Sequence, residues 1–152
     1  LAWMAVSGPA TEVRAALTAL ELVCDTYLSV ATPVQLAAAE LLARGSVVRD
    51  QIARRIRINY AALLARAAAT PSCRVLNADG GWYAVIHVPS MATEEDLVIA
   101  LVEHDDVLVH PGFFFDFPRE SFVVVSLLPP PDAFAAGSSR LFRHFDCSVP
   151  PP

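Results

Sequence analysis

The sequence predicts a mixed α/β fold in which a small sheet is covered by helices. In the first half of the chain, apolar residues recur at three- and four-residue steps, which is typical of helices with one buried face. In the second half, short extended segments alternate with turns that contain glycine or proline. The 152 residues are 55% apolar, which is enough to form a core. The predicted order is strand, three helices, and then strand, strand, helix, strand, strand, helix.

The first predicted elements are a buried strand and a helix. Residues 1–6 form a short apolar run that ends at Ser7 and Gly8, and Pro9 suits the first turn of a helix. We expect this helix to extend from residue 11 to about residue 29, because its apolar residues share one face. They are Val13, Ala16, Leu17, Leu20, Val23, Cys24 and Tyr27.

A second helix start is predicted at Thr32. The Thr32 side chain can cap the helix, Pro33 suits the first helical position, and Gln35 can reach back to the amide of the cap. We expect the helix to run to Gly45, where glycine favours a stop or a kink. A further helical pattern then continues to about Ala69, so two helices are predicted here.

The second half is predicted to contain four strands and two helices. Two extended segments within residues 73–89 flank a turn at residues 77–81, where glycine supplies backbone angles that other residues avoid, and a hairpin follows. Acidic residues 94–96 favour the first turn of a short helix that ends near residues 104–106. The remaining predicted elements are strands at residues 107–110 and 121–128, a helix from Pro131 to about Phe145, and a frayed tail.

Composition and charge restrict the possible partners. The net charge of -5 argues against a nucleic-acid surface, although six of the arginines lie within residues 44–66, where we expect a solvated helix face. The longest run without charged residues is shorter than the ~20 residues that cross a bilayer, so no membrane partner is predicted. The three cysteines are widely spaced and odd in number, which indicates neither disulfides nor zinc and fits a reducing cytoplasm.

Metal and hydrolytic sites are not predicted. His104, Asp105, Asp106 and His110 are close in sequence, but their spacing matches no metal template. The serines lie in no nucleophile elbow, and no glycine-rich phosphate loop is present. The phenylalanines at residues 113–115 are more typical of core and lid packing than of a platform for nucleic-acid bases. These observations leave no catalytic residue and no metal ligand assigned.

Residues 107–131, VLVHPGFFFDFPRESFVVVSLLPPP, indicate a strand, a Pro-Gly turn, an aromatic loop, a second strand and a proline-rich stop. This segment resembles the small C-terminal domain of fold-type I aminotransferases, the class I/II enzymes that use pyridoxal 5'-phosphate (PLP), and in particular their alanine-aminotransferase-like branch. Three other segments resemble the family in the same order, namely LAWMAVSGP, LSVATPVQ and DGGWY.

The resemblance implies a division of the chain. Residues 1–31 would be the end of the large cofactor-binding domain, residues 32–69 the long interdomain helices, and residues 70–152 the small C-terminal domain. The chain begins with Leu1 rather than methionine, so we expect it to be part of a longer polypeptide. All 11 basic residues are arginine, and the family binds PLP covalently through a lysine, so PLP would be held mainly by the missing N-terminal part.

The resemblance also implies an activity and a site. The whole enzyme would be a homodimer that transfers an amino group between an amino acid and a 2-oxo acid, and this chain alone would be inactive. Two segments would lie nearest the substrate, the Gly-hydrophobic-aromatic turn and the Pro-Gly loop. Their residues are Trp82, Tyr83, Pro111, Gly112 and Phe113.

Position 124 departs from the family's pattern. Related enzymes have an arginine there that binds the substrate's α-carboxylate through two parallel hydrogen bonds, and this chain has Val124. Another group could bind the carboxylate, the substrate class could differ, or the register could be shifted by a residue or two. Arg119 is the only arginine between Arg74 and Arg140, so it is the candidate, although an exposed loop charge is the alternative.

Two other functions are compatible with the same fold. A transcription regulator can carry an aminotransferase-like domain for effector binding and dimerisation, and a basic, winged-helix segment upstream of Leu1 would indicate one. A non-catalytic interaction domain is the other alternative, and a gene that starts near Leu1 would favour it. The amino donor and acceptor are not fixed by any motif in the sequence.

Overall fold

The computed structural model describes residues 1–27, 30–90, 92–118 and 121–146. The chain divides into two compact units, Leu1–Arg49 and Asp50–Pro152, and the boundary falls inside a long helix. Helix α1 (Ala10–Thr26) lies in the first unit, and α2 (Thr32–Ala69) extends from the first unit into the second. None of the described helices has an apolar stretch long enough to span a bilayer.

Helices are the only regular secondary structure among the described residues of the first unit. Helix α1 begins directly after Pro9, whose carbonyl accepts a hydrogen bond from the Val13 amide at 2.9 Å, as the sequence predicts. The predicted strand at residues 1–6 is wrong, because this segment is extended without strand pairing and most of its side chains are exposed. A strand needs hydrogen bonds to a neighbour, and the described part of this unit supplies none.

Helix α2 is continuous over 38 residues. The predicted stop at Gly45 is therefore wrong, and the alternative of a kink stays a prediction. A glycine inside a helix costs only ~1 kcal/mol, which a helix of this length tolerates. The helix start also differs in detail, since the Val34 and Gln35 amides bind the Ala31 carbonyl, and the Gln35 side-chain amide donates to the Val30 carbonyl at 2.6 Å.

The second unit contains a four-stranded antiparallel sheet, formed by β1 (Arg74–Val75), β2 (Tyr83–His87), β3 (His110–Pro111) and β4 (Phe122–Ser126). The strand order is β1-β2-β4-β3. The predicted hairpin is confirmed, because β1 and β2 are antiparallel neighbours joined through the turn at residues 77–81. The last two strands are shorter than predicted: β3 lacks residues 107–109 of the predicted strand, and β4 lacks residues 121, 127 and 128. A 3-10 turn at Gly112–Phe115 follows β3 directly.

Helices α3 (Glu94–Asp105) and α4 (Pro131–His144) confirm the two remaining helix predictions. The Thr93 hydroxyl caps α3 by accepting a hydrogen bond from the Asp96 amide at 3.1 Å. Both helices and the C-terminal part of α2 pack against one face of the sheet, here called the inner face. Its core consists of Leu63, Ala84, Ile86, Leu101, Val123, Val125, Phe134, Leu141 and Phe142, among others.

The opposite face, here called the outer face, lacks this helical cover in the second unit. Side chains alternate along a strand, and residues paired across antiparallel strands share a face. The register therefore places on the outer face Arg74, Tyr83, Val85, His87, His110, Phe122, Val124 and Ser126. Of the residues expected near a substrate, Tyr83 lies on this outer face, whereas Pro111 pairs with Val123 and is buried on the inner face.

Candidate functional site

Five of the six predicted site residues are described by the structure, and they lie on two segments next to the central strand β4. Trp82 and Tyr83 are at the start of β2, while Pro111, Gly112 and Phe113 are at the end of β3 and in the 3-10 turn. The rings of Tyr83 and Phe115 connect the two segments, with centroids 6.1 Å apart. The strand order thus brings together residues that are about 30 positions apart in the sequence.

Six aromatic side chains form a connected group here, which we call the aromatic cluster: Trp82, Tyr83, His110, Phe113, Phe114 and Phe115. The His110 ring lies 6.1 Å from Phe115 and 6.2 Å from Phe114, measured between centroids. All six residues are exposed. Such a surface can bind apolar or planar groups, and the His110 ring adds polar nitrogen atoms to it.

Val124 lies in the middle of β4, between Val85 on one side and His110 on the other. Its side chain is on the outer face but is only 2% exposed. A valine offers no charge and no hydrogen bond to a carboxylate, so this position does not perform the role of the family's arginine. Arg119, the candidate replacement, lies outside the described residues, and its role stays a prediction.

The two acidic residues at the end of α3 bind protein groups. The Asp105 carboxylate is 2.9 Å from the Nδ1 atom of His144, and the Asp106 carboxylate lies 3.8 Å from Arg140. His110 instead belongs to the aromatic cluster. Within the residues that the structure describes, no group of three or more potential ligands could hold a metal ion.

Glu94 is a residue that the sequence did not single out. Its carboxylate is buried, and its Oε2 atom accepts the Phe113 amide at 2.9 Å while Oε1 accepts the Phe122 amide at 2.8 Å. The first turn of α3 contains three acidic residues, and all three suit a helix N-terminus equally well. Sequence periodicity alone therefore does not separate Glu94 from its neighbours.

A glycine is required at position 112 because the 3-10 turn, β4 and the start of α3 approach each other closely there. A Cβ atom at this position would lie 2.8 Å from the Phe122 Cβ atom and 2.9 Å from the Glu94 Oε1 atom. Any larger residue would therefore push the 3-10 turn away from β4 or displace the buried carboxylate. The Pro-Gly pair of the predicted loop is thus explained by packing as well as by turn geometry.

Two side chains of α2 hold the hairpin that carries Trp82 and Tyr83. The buried Asn59 amide donates to the carbonyls of Leu127 at 3.0 Å and Pro129 at 2.9 Å. The Leu127 amide in turn donates to the Trp82 carbonyl at 2.7 Å. The Tyr60 hydroxyl accepts the Ala78 amide at 3.2 Å, at the hairpin turn. Side chains from a distant helix therefore fix the backbone beneath the aromatic cluster.

Cys73 is a buried thiol below the sheet. Burial raises its pKa above the ordinary value of 9.0, and a hydrogen bond with the neighbouring Ser72 partly opposes that shift. A thiol with a raised pKa is a poor nucleophile, because the thiolate is the reactive form. Cys73 is therefore a core residue.

The residues of this chain do not fit PLP by themselves. The family's covalent link to the cofactor uses a lysine amine, and the chain has none. The aromatic cluster offers surfaces for packing, and His110 offers a ring nitrogen, but neither supplies that amine. We therefore derive no chemical step through the cofactor from this chain.

No protein-family model matches the sequence, and no curated protein matches it either. Solved structures do match. An aminotransferase from Mycobacterium tuberculosis has a TM-score of 0.73 at 21% identity, covering 91% of this chain and 36% of that one. An aminotransferase from Staphylococcus aureus has a TM-score of 0.70 at 20% identity, covering 89% and 36%.

A third similar structure is LysN, the α-aminoadipate aminotransferase of Thermus thermophilus, solved with N-(5'-phosphopyridoxyl)-L-leucine. Its TM-score is 0.66 at 22% identity, and the match covers 88% of this chain and 36% of that one. The chain thus spans about a third of the length of these aminotransferases. At such identities the likeness concerns the fold, and the small antiparallel sheet with its helices agrees with it. The chain has an aminotransferase-like fold, that of the C-terminal domain of these enzymes.

Proposed function

We propose that this chain is the C-terminal part of a PLP-dependent aminotransferase, which transfers an amino group between an amino acid and a 2-oxo acid. The observation that carries the proposal is the aromatic cluster, which joins two segments that are distant in the sequence. The cluster lies beside the sheet of a chain that has an aminotransferase-like fold. PLP supplies an electron sink when it is bound, and a lysine outside this chain would bind it. The chain alone would be inactive.

The proposed role of this chain is to cover and orient the substrate. The exposed side chains of Trp82, Tyr83 and Phe113 would form a wall that excludes water and limits the positions of the reacting bond, and the buried Pro111 and Gly112 would hold the turn behind it. Rings held by mutual contacts and by backbone hydrogen bonds suit that role, because a wall must keep its shape when substrate arrives. Since Val124 cannot bind a carboxylate by charge, we assign that role to Arg119.

The domain organisation is also part of the proposal. Residues 1–31 would complete the large cofactor domain, residues 32–69 would connect the domains, and residues 70–152 would form the small domain. The whole enzyme would act as a homodimer. We expect a cytoplasmic location, since the exposed Cys24 and the buried Cys73 are both free thiols.

The test uses the complete polypeptide, in which this chain follows a lysine-bearing cofactor domain. We expect PLP-dependent amino transfer from at least one amino acid, and Tyr83→Ala should lower kcat/KM by about 10- to 100-fold, since misplaced substrate slows the reaction. Val102→Ala, which removes an exposed apolar side chain of α3 outside the cluster, should leave kcat/KM unchanged. A PLP-bound polypeptide that binds amino acids without transferring the amino group would contradict the proposal and favour the regulator.

A further inference from the structure

The buried carboxylate of Glu94 joins three segments of the second unit. Glu94 is the first residue of α3, and its side chain is 2% exposed. One oxygen accepts the amide of Phe113 in the 3-10 turn, and the other accepts the amide of Phe122, the first residue of β4. These partners lie 19 and 28 positions away in the sequence. The contacts therefore set tertiary geometry, and they are not ordinary helix capping.

The chemistry of this contact requires a carboxylate. A buried carboxylate is costly unless donors saturate it, and hydrogen bonds to an ionised acceptor are stronger than neutral ones. Each oxygen of Glu94 has its own backbone donor, at 2.9 and 2.8 Å. A glutamine of the same shape has only one acceptor oxygen. It could accept the amide of Phe113 or of Phe122, but its NH₂ group would then face the N–H of the other residue. An aspartate is one methylene shorter and would not reach both amides.

The surrounding backbone is arranged around the same carboxylate. Gly112 has no room for a Cβ atom, which would lie 2.9 Å from the Glu94 Oε1 atom. Ser121, directly before Phe122, has a φ of 102°, which non-glycine residues adopt at a cost. The peptide unit that follows Ser121 is held at both of its polar groups, since the Ser121 carbonyl accepts the Val88 amide at 2.9 Å and the Phe122 amide donates to Glu94.

We propose that Glu94 is the positioning residue of the substrate wall, and this role rests on the function proposed above. Its carboxylate fixes the 3-10 turn against the start of β4, and the turn carries Phe113, Phe114 and Phe115. The ring of Phe115 meets both Tyr83 and His110, so the angle of the turn decides whether the aromatic cluster is assembled. Glu94 acts through these rings and does not itself touch the substrate.

The first test needs no substitution. In the wild-type chain, NMR should detect scalar couplings through the hydrogen bonds from the amide nitrogens of Phe113 and Phe122 to the side-chain carboxyl carbon of Glu94. Couplings from both amides are expected. If the spectra are assigned and neither amide couples to Glu94, the proposal is wrong.

The second test compares Glu94→Gln with Glu95→Gln, since Glu95 is the adjacent, exposed residue of the same helical turn. The two variants lose the same charge at the same helix end. We expect Glu94→Gln to speed hydrogen exchange of the Phe113 or Phe122 amide by about 10- to 100-fold, and to weaken the contact between the Tyr83 and Phe115 rings. The Glu95→Gln variant should match wild type. Wild-type exchange and ring contacts in Glu94→Gln would overturn the proposal.

The third test measures the consequence for the reaction in the complete enzyme. Glu94→Gln should lower kcat/KM by about 10-fold or more, with PLP still bound, while Glu95→Gln should leave it unchanged. Unchanged kcat/KM in a Glu94→Gln enzyme whose Phe113 or Phe122 amide exchanges faster would refute the positioning role. If the wild-type enzyme transfers no amino group, the proposed function fails, and the two NMR tests still decide whether the carboxylate sets the loop.

Discussion

The two compact units of this chain have similar apolar character but different interiors. All buried residues that the structure describes lie in Asp50–Pro152, where the inner face of the sheet is covered by three helical segments. The described residues of Leu1–Arg49 include large apolar side chains on α1 and α2, but each remains at least partly exposed. The difference shows that an apolar helix face gives a core only when its own unit contains a second surface to pack on.

The largest expected effect is on the free energy of unfolding, and substitutions of two leucines, one from each unit, test it. Leu63 is 0% exposed and Leu22 is 72% exposed. Leu63→Ala should lower the free energy of unfolding by about 2–5 kcal/mol, because it leaves a cavity in a packed core. Leu22→Ala should change it by less than ~0.5 kcal/mol. Urea denaturation followed by circular dichroism measures both, and equal losses would show that the first unit has a core of its own.

A smaller effect is expected for two side-chain amides that donate to backbone carbonyls. Asn59 is buried and donates to two carbonyls, whereas Gln35 is exposed and donates to one. Asn59→Ala should cost about 1–3 kcal/mol, because it leaves buried carbonyls without donors. Gln35→Ala should cost a few tenths of a kcal/mol, since water replaces the lost donor. The same denaturation experiment would reject this comparison if the two costs were alike.

The smallest effect concerns two cysteines. Cys24 is exposed and Cys73 is buried, with its pKa raised by desolvation. At pH 8 we expect a thiol-alkylating reagent to label Cys24 at least about 10-fold faster, as measured by peptide mass spectrometry. Comparable labelling rates in the folded chain would mean that the core around Cys73 opens readily.

The same pKa shift predicts a weak pH dependence of stability. The pKa of Cys73 is raised in the folded state, so the thiol favours folding as long as it stays protonated. Its contribution to the free energy of unfolding is complete below pH 9.0, the pKa of the unfolded state, and declines as the pH rises through the folded-state pKa. Cys73→Ser should remove this dependence. Urea denaturation between pH 8 and pH 10 is the measurement, and an identical decline in both proteins would assign it to other groups.

Features set by neighbouring residues could be predicted from the sequence. The hairpin at residues 77–81, the acidic first turn of α3 and the helix that starts at Pro131 all depend on local turn and helix-end chemistry, and the structure has each of them. Two of the segments that resemble aminotransferases, DGGWY and HPGFFFDFP, also contain the residues of the aromatic cluster. The resemblance therefore named residues in both segments of the aromatic cluster, and their contact with a substrate stays a prediction.

Features set by distant residues could not be predicted. Among the described residues, the strand expected at residues 1–6 had no partner strand, and none outside its own helix lies within 4 Å of where a Cβ atom at Gly45 would be. Glu94 was missed because its role depends on amides 19 and 28 residues away. Val124 was noticed through the family's pattern, but its burial between Val85 and His110 became evident only from the strand order.

The strand order has a consequence for how copies of this chain can meet. The two outermost strands, β1 and β3, are each two residues long, and β3 ends in a proline. An exposed strand edge recruits foreign strands in proportion to its row of unpaired backbone groups, and proline removes one donor from that row. The sheet therefore offers almost no template for fibril growth. Self-association of this chain should involve its uncovered apolar side chains, so that mild detergent rather than a strand-blocking peptide would suppress it.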